Sequence, residues 1–308
     1  MAINNINSIT PPFLQKGDLV EIIAPAKFIS NDDIDNAIKS IKKAGFHVKI
    51  NSNIFNKHNV FAGSIKKRTH NLQKALDSIE TKAIFFARGG YGSIQLIDQI
   101  DFTFFIKHPK WLIGFSDLTT ILMHTYTQYN IKSIHGPMVY NFNKTNHAHI
   151  MELFNIITGG ESFVESKRHQ LNQLGTAEGK LVGGNLSILC SLLGSSSFNI
   201  MNQDMILFLE DVDEYFYHIE RMMYSLDRSG VLKNLKGLII GGMTNMLDNE
   251  ISFGKNAYEL IYDMTKKYNY PICFDFPIGH SDLNHPIIVG ANVIMEASEN
   301  SSRIIYKI

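Results

Sequence analysis

Apolar positions along this chain follow two rhythms. Short runs, L-V-E-I-I (19–23), A-I-F-F-A (83–87), W-L-I-G-F (111–115) and M-I-L-F-L (205–209), are mostly unbroken and read as buried strands. Elsewhere apolar residues recur at helical spacing. Ile34, Ala37, Ile38 and Ile41 form one such stripe, opened by a capping box at Ser30 and Asp33 and stopped at Gly45. His47–Ile50 reads as a short strand and residues 64–78 as a helix. Strands alternating with helices predict a parallel sheet covered on both faces. Ligands sit beyond the carboxyl ends of such strands, where this chain carries R-G-G-Y-G-S (88–93) and G-F-S-D (114–117).

From about His147 the texture changes. A helical stretch over 149–157 ends in Gly159-Gly160, and a polar, irregular region follows to about Gly179. Three parts are expected: an α/β unit over 1–145, a crossover over 146–178 and a second unit over 179–308. The second unit holds a helix through L-S-I-L-C-S-L-L, the strand 205–209, a helix over 215–226, the run L-K-G-L-I-I-G-G and a helix over 256–268. P-I-I-V-G-A-N-V-I-M-E and R-I-I-Y-K-I at the end predict hairpin-type pairing.

With 308 residues, 44% apolar and 19% charged, the chain suits a globular protein of one large or two ordinary domains. Lys plus Arg equals Asp plus Glu at 29 each, so no net charge invites nucleic acid or an anionic membrane. Lys66-Lys67-Arg68 is a short local basic patch. The first residues lack a charged segment followed by an apolar run, so no export signal is expected. No apolar run reaches the roughly 18 residues of a spanning helix. Cys190 and Cys273 read as core thiols, and a cytoplasmic, disulfide-free protein follows. No H-E-x-x-H, EF-hand spacing or Cys/His cluster occurs, so neither metal nor cofactor is expected.

Ser116, between the run 111–115 and the next helical pattern, admits two readings. It could cap the helix, since a serine oxygen accepts from first-turn N–H groups. Taken alone the residue favours that cap, but a strand-to-helix turn is also where a nucleophile is raised, beside N–H groups able to hold an oxyanion. G-x-S-x-G is not met, because Leu118 fills the last glycine position, and this disfavours an ordinary α/β-hydrolase. A serine nucleophile needs a base and an orienting acid. His280 and His135, each after an apolar run, compete for the first role; Glu210 and Asp211, placed just after a strand, compete for the second. The loop 88–93 fails G-x-G-x-x-G at Gln95, leaving either a tight turn or a close backbone approach to substrate.

Taken together and in order, A-R-G-G-Y-G-S, G-F-S-D-L-T, I-H-G-P-M, L-V-G-G-N-L-S-I-L, L-F-L-E-D-V-D-E-Y and P-I-G-H-S resemble the LD-carboxypeptidase family of serine peptidases. The resemblance runs from G-D-L-V-E-I-I-A-P-A to I-I-V-G-A. It implies a flavodoxin-like N-terminal domain, a C-terminal domain with a small β-barrel, and a homodimer. It also implies a triad of Ser116, Glu210 and His280, with Ser116 both capping and nucleophilic and His135 left a structural or substrate-side role.

The implied reaction releases the C-terminal D-alanine of a murein tetrapeptide, a small peptide or muropeptide substrate. Gly90 and Asp117 would give the oxyanion N–H groups, and Arg88 with Gly89 would bind substrate, Arg88 through the terminal carboxylate. Two alternatives stand beside it: a same-family hydrolase of peptidyl nucleotides, as in microcin C self-immunity, and a ligand-binding module without chemistry. After the histidine the family often has a glycine and a Pro-Asn pair, whereas this chain reads S-D-L-N-H-P.

Overall fold

In the computed structural model, which describes residues 8–200 and 204–307, the first apolar runs become one parallel sheet. Residues 1–7, on which the expectation about an export signal falls, lie outside the described residues. The strands are β1 (Leu19–Ile23), β2 (His47–Ile50), β3 (Thr81–Phe86), β4 (Trp111–Gly114) and β5 (Ser133–His135), ordered β2-β1-β3-β4-β5. That is the flavodoxin-like order, with its switch point between β1 and β3.

Five helices accompany this sheet: α1 (Asn31–Lys43), α2 (Ile65–Leu76), α3 (Thr103–Lys107), α4 (Thr119–Tyr129) and α5 (His147–Ile157). The capping box of α1 forms, with Ser30 and Asp33 reciprocally bonded. Side-chain alternation along the strands splits the core into two layers. Ile22, Phe85 and Ile113 pack with Ile34 of α1 and Leu153 and Phe154 of α5. Ile23, Phe86 and Leu112 pack on the other face with Leu72 of α2 and Ile121 of α4.

The chain continues with β6 (Phe163–Lys167), β7 (Gly175–Asn185), β8 (Met205–Val212), β9 (Leu235–Thr244), β10 (Ile272–Cys273), β11 (Ile287–Val289), β12 (Asn292–Ala297) and β13 (Ser301–Tyr306). Helices α6 (Leu186–Ser191), α7 (Phe216–Arg228) and α8 (Ala257–Thr265) are interspersed. A seven-stranded mixed sheet, β10-β9-β8-β7-β12-β13-β6, forms the second unit, where the resemblance implies a small barrel. Within the segment 146–178, α5 packs on the first core and β6 joins the second sheet beside β13.

Three details depart from the sequence reading. The run P-I-I-V does not join the terminal hairpin, which is β12 with β13 alone. It forms β11 instead, antiparallel to β5 at the edge of the first sheet, with Ile287 opposite His135. Strand β8 runs on to Val212, so Glu210 and Asp211 lie within it and are buried, not just after it. The glycine loop 88–93 is followed by two short 3₁₀ turns, Ser93–Gln95 and Ile97–Gln99, where the alternation of strands and helices would put an α-helix. Among the described residues no helix is long and apolar enough to cross a membrane, and no three His, Cys, Asp or Glu are grouped to hold a metal.

Candidate active site

Ser116 occupies the turn between β4 and α4 in the left-handed region, with φ +62°. A non-glycine residue held there is strained, and such strain concentrates at functional turns. The expected cap is absent: Phe115 is the N-cap of the 3₁₀ turn Ser116–Leu118, and no side chain caps either that turn or α4. The turn therefore presents the Ser116 hydroxyl instead of spending it on the backbone. Across from it lies Gly89, where a Cβ would stand 3.3 Å from Ser116 Oγ and 3.1 Å from its Cβ. A larger residue at 89 would crowd the hydroxyl.

The next residue clamps that glycine loop. Asp117 is buried, and its Oδ1 accepts from the Gly92 N–H at 3.2 Å, while Oδ2 accepts from the Ser93 N–H at 2.9 Å and Ser93 Oγ at 2.6 Å. Burial pushes its carboxyl pKa up, against these donors. Arg68 braces the loop from α2. Its guanidinium donates to the carbonyls of Gly63, Pro25 and Gly92 and to Gln95 Oε1. Only 1% exposed, Arg68 is not part of a surface basic patch, as Lys66-Lys67-Arg68 suggested. It shares the inward helix face with Leu72, Ala75 and Leu76, a signal visible in the spacing but masked by its two lysine neighbours.

The second unit contributes an acid and a base. Glu210 on β8 is fully buried, and its Oε2 lies 2.7 Å from His280 Nδ1. Burial opposes ionisation of both, but the pairing outweighs it: Glu210 is held below the ordinary carboxylate range and His280 above the ordinary imidazole range. Gly279 makes the pair possible. Its φ is +104°, and a Cβ there would lie 2.6 Å from both Glu210 Cβ and Oε2. The departing S-D-L-N-H-P stretch closes the loop, with Asn284 Oδ1 accepting from the Gly279 N–H at 3.0 Å.

The two halves meet around Phe115, whose ring stands 4.8 Å from that of His280, centroid to centroid. Phe115, which precedes Ser116, thus brings the Ser116 turn towards His280, and among the described residues no hydrogen bond joins Ser116 Oγ to that ring. His135, the rival base, is fully buried between Phe115 and Phe208, and neither ring nitrogen has a partner among the described residues. Burial pushes its pKa down to about 4, which leaves it a neutral, inaccessible ring. Asp211, the rival acid, serves α6 instead. It accepts from Asn185 Nδ2 and the Ser187 N–H, and burial pushes its pKa up to about 7. Arg88 is half-buried, with its guanidinium over the Tyr140 ring at 4.3 Å and no ion pair among the described residues.

Comparison with known proteins identifies the family. The LD-carboxypeptidase N-terminal domain matches residues 20–136, and the LD-carboxypeptidase C-terminal domain matches 178–295. A probable murein peptide carboxypeptidase of Bacillus subtilis is 30% identical over 299 residues, covering 96% of this chain and 93% of the relative. The crystal structure of muramoyltetrapeptide carboxypeptidase from Oxalobacter formigenes superposes with a TM-score of 0.85 at 25% identity, over 94% of this chain and 99% of that one. An MccF-like protein from Bacillus anthracis shares the fold, with a TM-score of 0.84 at 23% identity over 97% of this chain and all of that one.

Proposed function

The chain belongs to the LD-carboxypeptidase family, and on that premise we propose that it releases the C-terminal D-alanine of murein tetrapeptides by serine-type hydrolysis. The observation that carries the chemistry is the pair of buried Glu210 and half-buried His280 beside the strained Ser116 turn. Ser116 Oγ attacks the carbonyl of the L-configured residue. The second ring nitrogen of His280 takes the hydroxyl proton and returns it to the departing D-alanine amine. Glu210, bonded to Nδ1, fixes the tautomer and stabilises the imidazolium. Water, activated by the same imidazole, then cleaves the acyl-serine.

The oxyanion is assigned to the N–H groups of Gly90 and Asp117, the residues that follow Gly89 on the loop and Ser116 on the turn. Arg88 is assigned to the terminal carboxylate, as a guanidinium without an acidic partner beside the glycine loop. The Gly89 backbone completes the substrate wall. A cytoplasmic homodimer belongs to the same proposal and rests on the resemblance alone.

Incubating wild type and Ser116→Ala with L-Ala-γ-D-Glu-meso-diaminopimelyl-D-Ala and measuring free D-alanine tests the reading. Release by wild type alone is expected; equal release by both removes Ser116 from the mechanism. One observation favours a second reading, cleavage of a peptidyl nucleotide. Tyr215, 37% exposed, and Tyr217 lie with their rings 5.5 Å apart just after the strand that carries Glu210, and such rings can stack on a base. Faster cleavage of an aminoacyl-nucleotide conjugate than of the murein peptide would select it.

A further inference from the structure

Three consecutive carboxyl ends, those of β1, β3 and β4, line the crevice of the first sheet. The β4 end carries Ser116 and the β3 end carries Arg88 and the glycines. The β1 end carries Lys27, in A-P-A-K, and no sequence motif drew attention to it. Its side chain lies across the glycine loop: a Cβ on Gly90 would stand 2.5 Å from Lys27 Cδ and 2.6 Å from Cε. Gly90 takes φ +103° and leaves this space open, and Gly89 beside it faces Ser116 Oγ. The Lys27 ammonium, one bond beyond Cε, is thus held a few ångströms from the loop assigned to the oxyanion.

Lys27 is half-buried and has no ion pair among the described residues. Arg88, on the same loop, has none either. Asp117, the acid nearest in sequence to the nucleophile, is occupied by Gly92 and Ser93 and braced through Arg68. Two cations without a protein counter-charge therefore flank one reacting centre, at the β1/β3 switch point where this fold binds ligands. A substrate with a single carboxylate would satisfy only one of them.

We propose that Lys27 binds a second carboxylate, on the side chain of the residue that supplies the scissile carbonyl, and so selects substrates whose acyl residue ends in a carboxylate over those ending in an amine alone. The assignment rests on the carboxypeptidase reading and deepens it. Diaminopimelate has such a carboxylate; lysine at the same place brings an ammonium that Lys27 repels. A carboxamide in place of the carboxylate keeps the shape and removes only the charge.

The test measures D-alanine release from L-Ala-γ-D-Glu-X-D-Ala with X as meso-diaminopimelate, its side-chain monoamide or L-lysine. For wild type, kcat/KM for the acid is expected to exceed that for the amide by about tenfold or more, the scale of a charge-assisted hydrogen bond. Lys27→Met, which keeps the stem over Gly90, and Lys27→Gln should bring the acid-to-amide ratio near unity, while Lys27→Arg should retain it. Thermal melting of each variant separates lost charge from lost fold. An acid-to-amide ratio near one in wild type, or one that survives in well-folded Lys27→Met and Lys27→Gln, overturns the inference and leaves the carboxypeptidase reading intact. Release from none of the three peptides by wild type overturns that reading and the inference together.

Discussion

Asp117 holds Ser93 by both its N–H and its hydroxyl, at 2.9 and 2.6 Å through a single carboxylate oxygen. The residue after Ser116 thereby fixes the loop that faces Ser116. Ser116 and the glycines are not two independent devices; they are tied at one buried acid, and the position of each depends on the other.

Replacing that acid should cost both fold and rate. Asp117→Ala leaves the Gly92 and Ser93 donors without their buried acceptor, a loss of roughly 2–4 kcal/mol for several hydrogen bonds to a charged group. D-alanine release should fall by about tenfold or more, because the loop would no longer hold its register against Ser116. Asp117→Asn keeps one acceptor and should lie between. Thermal melting and kcat/KM, taken together, decide; an Asp117→Ala protein as stable and active as wild type would refute the tie.

The Glu210–His280 pair sets the pH dependence. The proposed mechanism needs a neutral His280, and Glu210 raises its pKa, so kcat/KM should fall as pH drops through a value above the ordinary histidine value of about 6.5. In Glu210→Gln burial acts against only the weaker attraction of Asp211 and Asp213, so the acidic limb should move to lower pH while kcat falls by about 10³–10⁴-fold. A limb that stays in place in that variant would mean another group controls it. Stability follows the same pair. The Glu210 contribution is present above its unfolded pKa and is lost as pH falls through its depressed one; the His280 contribution is present below its unfolded pKa and is lost as pH rises through its raised one.

Gly279→Ala probes the space behind Glu210. The added methyl would stand 2.6 Å from the carboxylate at a backbone angle that disfavours any side chain. Gly254→Ala is the matched control, since its φ is +78° and nothing lies within 4 Å of the new Cβ. The control should lose only about 1 kcal/mol from backbone strain. The variant at 279 should lose more and show little D-alanine release, and equal melting temperatures and rates for the two would discredit the close approach.

Arg68→Met removes the guanidinium that satisfies four oxygens around the loop. Buried acceptors left unpaired, with Asp117 deprived of a nearby positive charge, should cost about 3–5 kcal/mol. Urea unfolding measures it; a loss under about 1 kcal/mol would show that Arg68 is dispensable.

How far the sequence revealed this depended on the range of the forces involved. The strands, the α1 capping box and the helix spacing are local, and they were legible. Glu210 and His280 became legible as a pair only through ordered resemblance, because no periodicity tells that residues 70 apart share a hydrogen bond. Arg68 was misread because a basic residue next to two lysines looks solvated, and its four acceptors come from distant segments. The strand β11 was misread because any apolar run near a hairpin looks like a partner for it. Which sheet takes such a run is decided by the exposed edge of β5, which lies about 150 residues earlier in the chain. Lys27 gave no signal, since its significance lies in the glycine it covers.

That same strand gives the molecule a seam. Residues 280–286 leave the second sheet and end in a strand sewn onto the edge of the first, so the base is suspended between the halves. A chain severed between α5 and β6 would thus remain one particle, stitched by β11 through main-chain bonds to β5. The acid–base pair cannot swing away from the serine by a hinge at the crossover alone, because opening the cleft widely would first have to unpick that seam.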